Sequence, residues 1–122
     1  MAGKRRYPIG AEPSGNGVHF RVWAPRHDRV AVVLETGAAS NENPLDGEND
    51  GYFSAWVPGA KAGDLYRFRL GSETEAYPDP ASRFQPEGPH GPSQVVDPAT
   101  FSWSDGAWKG ASLRGQVIYE MH

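Results

Sequence analysis

The titratable side chains of this sequence are spaced too widely to form a recognisable catalytic or metal site. Its four histidines show no His-x-x-x-His or similar ligand spacing: His19, His27, His90 and His122. Glu120 and His122 share one face of a predicted strand, but two residues do not make a site. Asp79 and Asp97 each precede a proline, where an aspartate is typically a turn residue. We therefore predict no catalytic residue, no metal ion and no cofactor for this chain.

Aromatic side chains are the second group with a chemical use, because an exposed ring can stack on a sugar. Three of them lie on strand faces opposite to the predicted core residues: Trp23, Tyr52 and Trp56. One interpretation is an outward aromatic patch that contacts carbohydrate. The other is that a second sheet, a loop or another domain covers the rings, since large aromatics more often fill cores and interfaces. Both interpretations remain open at this point.

Composition and charge argue against several other classes of protein. The 122 residues carry a net charge of −3, and the only basic cluster is residues 4–6, so the basic face that nucleic-acid binding needs is missing. No apolar run approaches the roughly 18 residues of a membrane span, and no apolar stretch follows the basic start as in a signal peptide. There is no cysteine for a disulfide or a thiolate site. We expect a cytoplasmic protein without nucleic-acid or membrane partners.

Alternating apolar residues predict a series of short strands. Val18, Phe20 and Val22 share one face of residues 17–23, which is typical of a half-buried strand. Further strands are predicted over 29–35, 52–57 and 65–70, with shorter ones near Leu45, 74–77 and 94–96. The strand over 29–35 is apolar on both faces, which places it in the centre of a sheet.

Turn signals join these strands into an all-β fold. The chain has 15 glycines and 11 prolines, as expected where turns are frequent. Residues 1–16 are predicted to be irregular, and the strands over 52–57 and 65–70 are predicted to form one antiparallel hairpin. No window shows the apolar spacing of an amphipathic helix. The pattern predicts an immunoglobulin-like β-sandwich of about seven short strands.

Many of the prolines are concentrated in residues 78–98, which we call the Pro-rich loop. Because proline restricts the unfolded chain, this segment is predicted to be ordered and packed on a surface. We divide the chain into an irregular tail (1–9), the sandwich with its Pro-rich loop (10–98), an aromatic-rich connector (99–115) and a final strand (116–122). The final run is apolar and stops abruptly within a predicted strand, so we expect the sequence to be truncated there.

Several segments resemble one known family. The sequences Phe-Arg-Val-Trp-Ala-Pro at 20–25, Asp-Gly-Tyr-Phe at 50–53 and Gly-Asp-Leu-Tyr-Arg-Phe-Arg at 63–69 resemble the immunoglobulin-like amino-terminal domains of family-13 glycoside hydrolases. These domains are also classed as family-48 carbohydrate-binding modules. Val-Ile-Tyr-Glu-Met-His at 117–122 resembles the first strand of their catalytic barrel. The Pro-rich loop resembles the long motif of maltooligosyltrehalose trehalohydrolases, whereas branching and debranching enzymes usually carry a shorter Asp-Pro-Tyr-Ala segment.

The resemblance implies a non-catalytic accessory domain whose partner is a catalytic barrel on the same parent chain. The parent would hydrolyse the α-1,4 bond next to the trehalose end of a maltooligosyltrehalose, using carboxylates located beyond residue 122. The domain is expected to stabilise the barrel and shape the substrate cleft, with contact to maltooligosaccharide as a further expectation. The alternatives are an autonomous α-glucan-binding module, the corresponding domain of a branching or debranching enzyme, or a protein-interaction sandwich unrelated to carbohydrate.

The resemblance also implies that the Pro-rich loop docks on the barrel. The candidate interface residues are Arg83, Phe84, Gln85, His90 and Ser93. Phe84 would be an apolar anchor, and Arg83 would pair with a carboxylate or a carbonyl group. The alternative is a loop with a purely structural role.

Overall fold

The described part of the chain folds into eight short antiparallel strands. The computed structural model describes residues 4–38 and 41–122. The strands are β1 (Gly10–Ser14), β2 (Gly17–Trp23), β3 (Val30–Leu34), β4 (Glu42–Gly47), β5 (Tyr52–Pro58), β6 (Leu65–Leu70), β7 (Ala76–Tyr77) and β8 (Ser93–Gln94). Short 3-10 turns occur at Asn49–Gly51 and Pro98–Thr100. The predicted all-β class is confirmed, and no helix within the described ranges is long and apolar enough to cross a membrane.

The strands form one curled sheet in which β4 connects two groups of strands. The order is β1-β2-β5-β4-β3-β6-β7, with β8 paired to β6. The first part of β4 pairs with β3, while Asp46 and Gly47 pair with β5. This change of partner gives two layers, one of β1, β2 and β5 and the other of β3, β6, β7 and β8. Their inner faces pack together as in a sandwich.

The core lies between the two layers and contains the residues that the alternation predicts. Phe20 of β2 meets Tyr66 of β6 edge-on, with ring centroids 5.0 Å apart. Tyr66 contacts Phe68 in the same way at 5.8 Å. Other buried members of the core include Val18, Val22, Val30, Val32 and Leu34. β3 lies between β4 and β6, so its predicted central position is confirmed.

The predicted hairpin between residues 52–57 and 65–70 is wrong. β5 pairs with β2 along its whole length, from Tyr52 opposite Trp23 to Pro58 opposite Gly17. β6 pairs with β3 instead. The connection between β5 and β6 therefore crosses from one layer to the other. A Pro-Gly turn signal predicts a change of direction but does not determine which strand becomes the neighbour.

The predicted irregular start is also wrong over residues 10–14. These residues form β1, an edge strand with Pro13 opposite Val18. Proline is tolerated on an edge because it removes a donor that no further strand needs. The segment holds little apolar alternation, so its pattern gave no strand signal.

The end of the described chain carries no strand. All residues of 101–122 are exposed, and the strand predicted over 116–122 is not formed. Gln116 makes only a local turn bond, donating from its N–H to the carbonyl of Leu113. A strand needs a hydrogen-bonded neighbour, and none of the described strands lies beside this segment.

Candidate functional site

The Pro-rich loop is fixed to the sandwich by a buried hydrogen-bond network. The Tyr66 hydroxyl donates to Asp79 Oδ2 at 2.7 Å, and the Asp79 N–H donates to Ser93 Oγ at 2.9 Å. The N–H of Ala81 donates to Asp79 Oδ1 at 2.8 Å. The network therefore links β6 to the first turn of the loop and to β8, where the loop returns.

Burial dominates the electrostatics of this network. It raises the pKa of the Asp79 carboxyl above its usual value, although the hydrogen bonds from Tyr66 and Ala81 act in the opposite direction. Burial also raises the pKa of the Tyr66 hydroxyl. The turn role predicted for Asp79 is confirmed, and Asp97 makes the same turn by accepting from the N–H of Ala99 at 2.9 Å.

The prediction that Ser93 contacts another domain is wrong. Its side chain is 0% exposed and accepts the hydrogen bond from Asp79, so it cannot touch a docked domain in this arrangement. The small buried hydroxyl holds the two ends of the loop together.

The middle of the loop is organised by its own polar groups and turns other side chains outward. Gln85 Nε2 donates to the carbonyls of Gly88, Pro89 and Gly91 at 3.4, 3.1 and 3.3 Å. Its amide is therefore directed inward, whereas the Phe84 ring is 51% exposed and His90 is exposed. The loop is ordered as predicted, and Phe84 and His90 are positioned for outward contact.

Arg83 is exposed and stacks on a residue from the start of the chain. Its guanidinium carbon lies 4.2 Å from the ring centroid of Tyr7. Tyr7 belongs to residues 4–9, which we call the N-terminal strap because they run back over β1 and β2. The sequence signals did not predict this contact, since it joins two irregular segments more than seventy residues apart.

Two charged side chains hold the strap against the sandwich. Arg5 donates to the carbonyls of Gly10 and His19, both at 2.8 Å, and its Nη1 lies 2.7 Å from His19 Nδ1. The buried Glu12 carboxylate accepts from the N–H of Arg6 at 3.0 Å and from the N–H of Tyr7 at 3.4 Å.

The His19 ring is an acceptor in this arrangement. Arginine can only donate, so Nδ1 of His19 accepts and the ring is neutral. Burial lowers the pKa of His19, and the neighbouring Arg5 cation lowers it further. The strap is therefore held partly through the neutral form of this histidine.

The three outward aromatics do not form one platform. Trp23 lies opposite Tyr52 in the β2–β5 register, whereas Trp56 lies opposite His19. Tyr52 and Trp56 are four residues apart on one strand, a spacing of about 13 Å. The Arg21 guanidinium covers the Tyr52 ring at 4.0 Å and pairs with Glu48 at 2.7 Å.

The two tryptophans differ in exposure as well as in place. Trp23 is 56% exposed, and its Nε1 donates to the carbonyl of Asp50 at 2.9 Å, which fixes the ring. Trp56 is half-buried, and its ring lies so close to Gly17 that a Cβ there would meet Trp56 Cε2 at 2.7 Å. Of the three, Trp23 offers the largest open surface.

Two grooves flank the Pro-rich loop. The first is apolar, has a volume of about 400 Å³, and is lined by Trp23, Pro25, Leu70, Tyr77, Pro78 and Pro80 among others. The second is polar, has a volume of about 590 Å³, and includes Glu35, Arg67, Arg69, Tyr77 and His90 in its lining. The family resemblance implies an interface role for His90, but no sequence pattern predicts this second groove, because its residues come from β3, β6, β7 and the loop.

The described residues contain no group of three or more histidine, aspartate or glutamate side chains arranged to hold a metal ion.

The sequence of the chain is similar to one protein family and to several enzymes. Residues 8–98 match the family "carbohydrate-binding module 48 (isoamylase N-terminal domain)". The chain is 37% identical over 115 residues to the malto-oligosyltrehalose trehalohydrolase of Saccharolobus solfataricus, covering 93% of this chain and 19% of that protein. It is 36% identical over 116 residues to the 1,4-alpha-glucan branching enzyme GlgB of Chlamydia abortus, covering 88% of this chain and 16% of that protein.

Solved structures show the same fold. A crystal structure from Salmonella typhimurium assigned to the alpha amylases aligns with a TM-score of 0.75 and 37% identity, covering 86% of this chain and 17% of that chain. Klebsiella pneumoniae pullulanase complexed with maltotriose aligns with a TM-score of 0.60 and 26% identity, covering 75% of this chain and 10% of that chain. The chain thus spans about a fifth of the curated relatives named here, or less.

Proposed function

The chain belongs to the carbohydrate-binding module 48 (isoamylase N-terminal domain) family, and on that premise we propose that it serves as the non-catalytic amino-terminal domain of an α-glucan-active glycoside hydrolase. The observation that carries the proposal is the family match over residues 8–98, which spans all eight strands and the Pro-rich loop. The relatives that match nearly the whole chain, yet are about five times longer, support a role beside a larger catalytic part.

The proposed reaction of the parent enzyme is hydrolysis of the α-1,4 bond that releases trehalose from a maltooligosyltrehalose. Trehalohydrolases of several organisms support this choice, and the long Pro-rich loop is the sequence feature that favours them over branching enzymes. The test is to incubate the full-length parent with maltooligosyltrehalose and measure free trehalose. Formation of new α-1,6 branches without trehalose release would overturn this assignment and favour the branching-enzyme alternative.

Within the parent, the domain would stabilise the barrel and shape the substrate cleft through the Pro-rich loop. The exposed Phe84 ring supports this role, because a rigid loop that presents a large apolar side chain is suited to an interface. The test is the Phe84→Ala substitution made both in this 122-residue chain and in the full parent. We expect Phe84→Ala to change the thermal midpoint of the 122-residue chain little and to lower the thermal midpoint of the full parent clearly. Equal effects in both would contradict a docking role.

A second candidate function is α-glucan binding by the domain itself. The polar groove favours it, since it combines an exposed Tyr77 ring with Arg67, Arg69 and His90, which can meet sugar hydroxyls. The Tyr77 hydroxyl donates to Glu73 Oε2 at 2.7 Å, which fixes the ring in place.

Calorimetric titration with maltoheptaose tests this candidate and locates the surface. If the groove binds, Tyr77→Phe keeps the heat signal, Tyr77→Ala removes it and Trp23→Ala leaves it unchanged. Loss of the signal in Trp23→Ala alone would assign binding to the outer aromatic face instead. The absence of saturable heat at millimolar ligand would remove this second function.

A further inference from the structure

We propose that Arg83 and Arg6, gathered around Tyr7, form a carboxylate-binding surface that holds an acidic segment of the catalytic part of the same polypeptide. The inference rests on the proposed function only for the origin of the carboxylate. The binding chemistry itself follows from the residues described below.

The two guanidinium groups share one aromatic ring. Arg83 lies 4.2 Å and Arg6 lies 5.7 Å from the Tyr7 centroid. A guanidinium that stacks through its face keeps the N–H groups of its edge free for a planar, bidentate acceptor. Tyr7 therefore orients Arg83 without using its donors.

Both segments that meet here are held in place before any partner arrives. Glu12 fixes the strap by accepting from the N–H of Arg6 and of Tyr7, and Arg5 Nε donates to the Tyr7 carbonyl at 3.1 Å. Asp79 anchors the loop four residues before Arg83. Binding a carboxylate would consequently require little ordering of the protein, which lowers its entropic cost.

The nearby carboxylates accept no hydrogen bond from Arg83, although Asp79 attracts its charge. Glu12 is buried and already accepts from strap N–H groups and from Arg6 Nε at 3.3 Å. Asp79 is buried and accepts from Tyr66 and Ala81. Within residues 4–38 and 41–122, the Arg83 guanidinium has neither a hydrogen bond nor an ion pair, and the residue is exposed. An anionic group from outside these residues is the partner that it lacks.

Charge and shape favour a protein carboxylate over a polyanion. The chain as a whole carries −3, which opposes the approach of a highly charged polymer such as a nucleic acid. The planar guanidinium of Arg83 matches a single aspartate or glutamate side chain in size and geometry. An acidic segment of the catalytic part can reach the surface because it lies on the same polypeptide.

The experiment is an NMR titration of the 122-residue chain with a capped tripeptide that carries one central glutamate, with inorganic phosphate as the competing probe. The Arg83 Nε–H resonance should shift saturably with the peptide. Arg83→Gln should remove binding, and Tyr7→Leu should weaken it about two- to fivefold by loss of the cation–π contact. Tyr7→Phe should restore it. Arg29→Gln, the same charge change at another exposed arginine, is the matched control and should leave binding unchanged.

Equal binding by wild type and Arg83→Gln, or an equal loss in Arg29→Gln, would overturn the proposal by reducing it to non-specific charge attraction. Phosphate binding at Arg83 that is as strong as peptide binding would overturn the carboxylate assignment. These results do not depend on the trehalose assay, so failure of the proposed reaction and failure of this surface are distinguishable. In the full parent, Arg83→Gln should also weaken the salt dependence of the thermal midpoint, and an unchanged dependence would overturn the assignment of the partner.

Discussion

Tyr66 of β6 donates a 2.7 Å hydrogen bond to Asp79 Oδ2 beneath the Pro-rich loop, and both side chains are buried. The same tyrosine ring packs edge-on against Phe20 and Phe68 in the core. One residue thus belongs to the apolar core and to the polar anchor of the loop. The stability of the sandwich and the position of the loop are coupled through it.

The first prediction concerns that hydrogen bond. Tyr66→Phe keeps the ring in the core but leaves the buried Asp79 carboxylate without its hydroxyl donor, so the free energy of unfolding should fall by about 1–3 kcal/mol. Denaturant unfolding followed by tryptophan fluorescence measures the change. The matched control is Tyr77→Phe, which removes a hydroxyl from an exposed ring and should lower the free energy of unfolding much less than Tyr66→Phe does. Equal costs for the two variants would contradict an anchoring role.

The second prediction concerns acid stability. Hydrogen bonds from Arg21, and then from Ser54, lower the pKa of Glu48 from 4.5 to about 2. A carboxyl whose pKa is lower in the folded state contributes stability above its unfolded value and loses it as the pH falls through the folded value. Glu48→Gln should therefore reduce the loss of stability between pH 4.5 and 2.

The size of this effect is limited because the ion pair with Arg21 lies at the surface. We expect Glu48→Gln to cost less than about 1 kcal/mol at pH 7 in moderate salt. Urea unfolding at pH 7, 4.5 and 3 gives the comparison, with Glu87→Gln as an exposed control that has no ion pair among the described residues. A parallel pH profile for wild type and Glu48→Gln would show that the pair contributes nothing to acid stability.

The third prediction compares two glycines with left-handed backbones. Gly51 has φ of 80°, and a Cβ there would lie 2.6 Å from Pro25 Cβ, whereas Gly63 has φ of 95° and open space around its Cβ position. Alanine at either position costs about 1–2 kcal/mol of backbone strain. Gly51→Ala should cost about 1–3 kcal/mol more, because the chain must also move away from Pro25. Thermal unfolding distinguishes the two, and equal midpoints would rule out the steric contribution.

The fourth prediction concerns the N-terminal strap. Glu12→Ala removes the buried acceptor of the Arg6 and Tyr7 N–H groups, so the hydrogen exchange of these two amides should accelerate by at least about tenfold. Exchange of the Val32 amide in the central strand should change only by the overall loss of stability. Glu42→Ala, which removes an exposed pairing with Arg69, is the control and should leave the strap amides unchanged. Unchanged exchange in Glu12→Ala would mean that the strap is held by other contacts.

Local patterns predicted the strands that bury one face and the residues that fill the core. The alternation of Val18, Phe20 and Val22 predicts that these side chains lie on one face of a strand, because successive side chains of a strand point to opposite faces. Asp79 and Asp97 were also correctly interpreted as turn residues, since an aspartate side chain can accept from the N–H two residues ahead.

The sequence does not predict which strands pair with each other. β5 was expected beside β6 but lies beside β2, because strand pairing depends on how both layers close and not on the turn between two strands. β1 gave no signal, since an edge strand with Pro13 needs neither alternation nor a full set of donors. The polar groove and the contact between Tyr7 and Arg83 are also not predictable from local patterns, because each of them joins segments that are distant in the sequence.

The sequence by itself determined an all-β domain with an ordered Pro-rich loop, because apolar periodicity and proline content act through short-range geometry. Only the tertiary structure decided that Ser93 is internal, that Trp23, Tyr52 and Trp56 are separated, and that Arg83 is oriented by the strap. Exposure and contact between distant residues are properties of the packed layers. They arise from which surfaces meet when the chain folds, and a linear pattern does not contain that information.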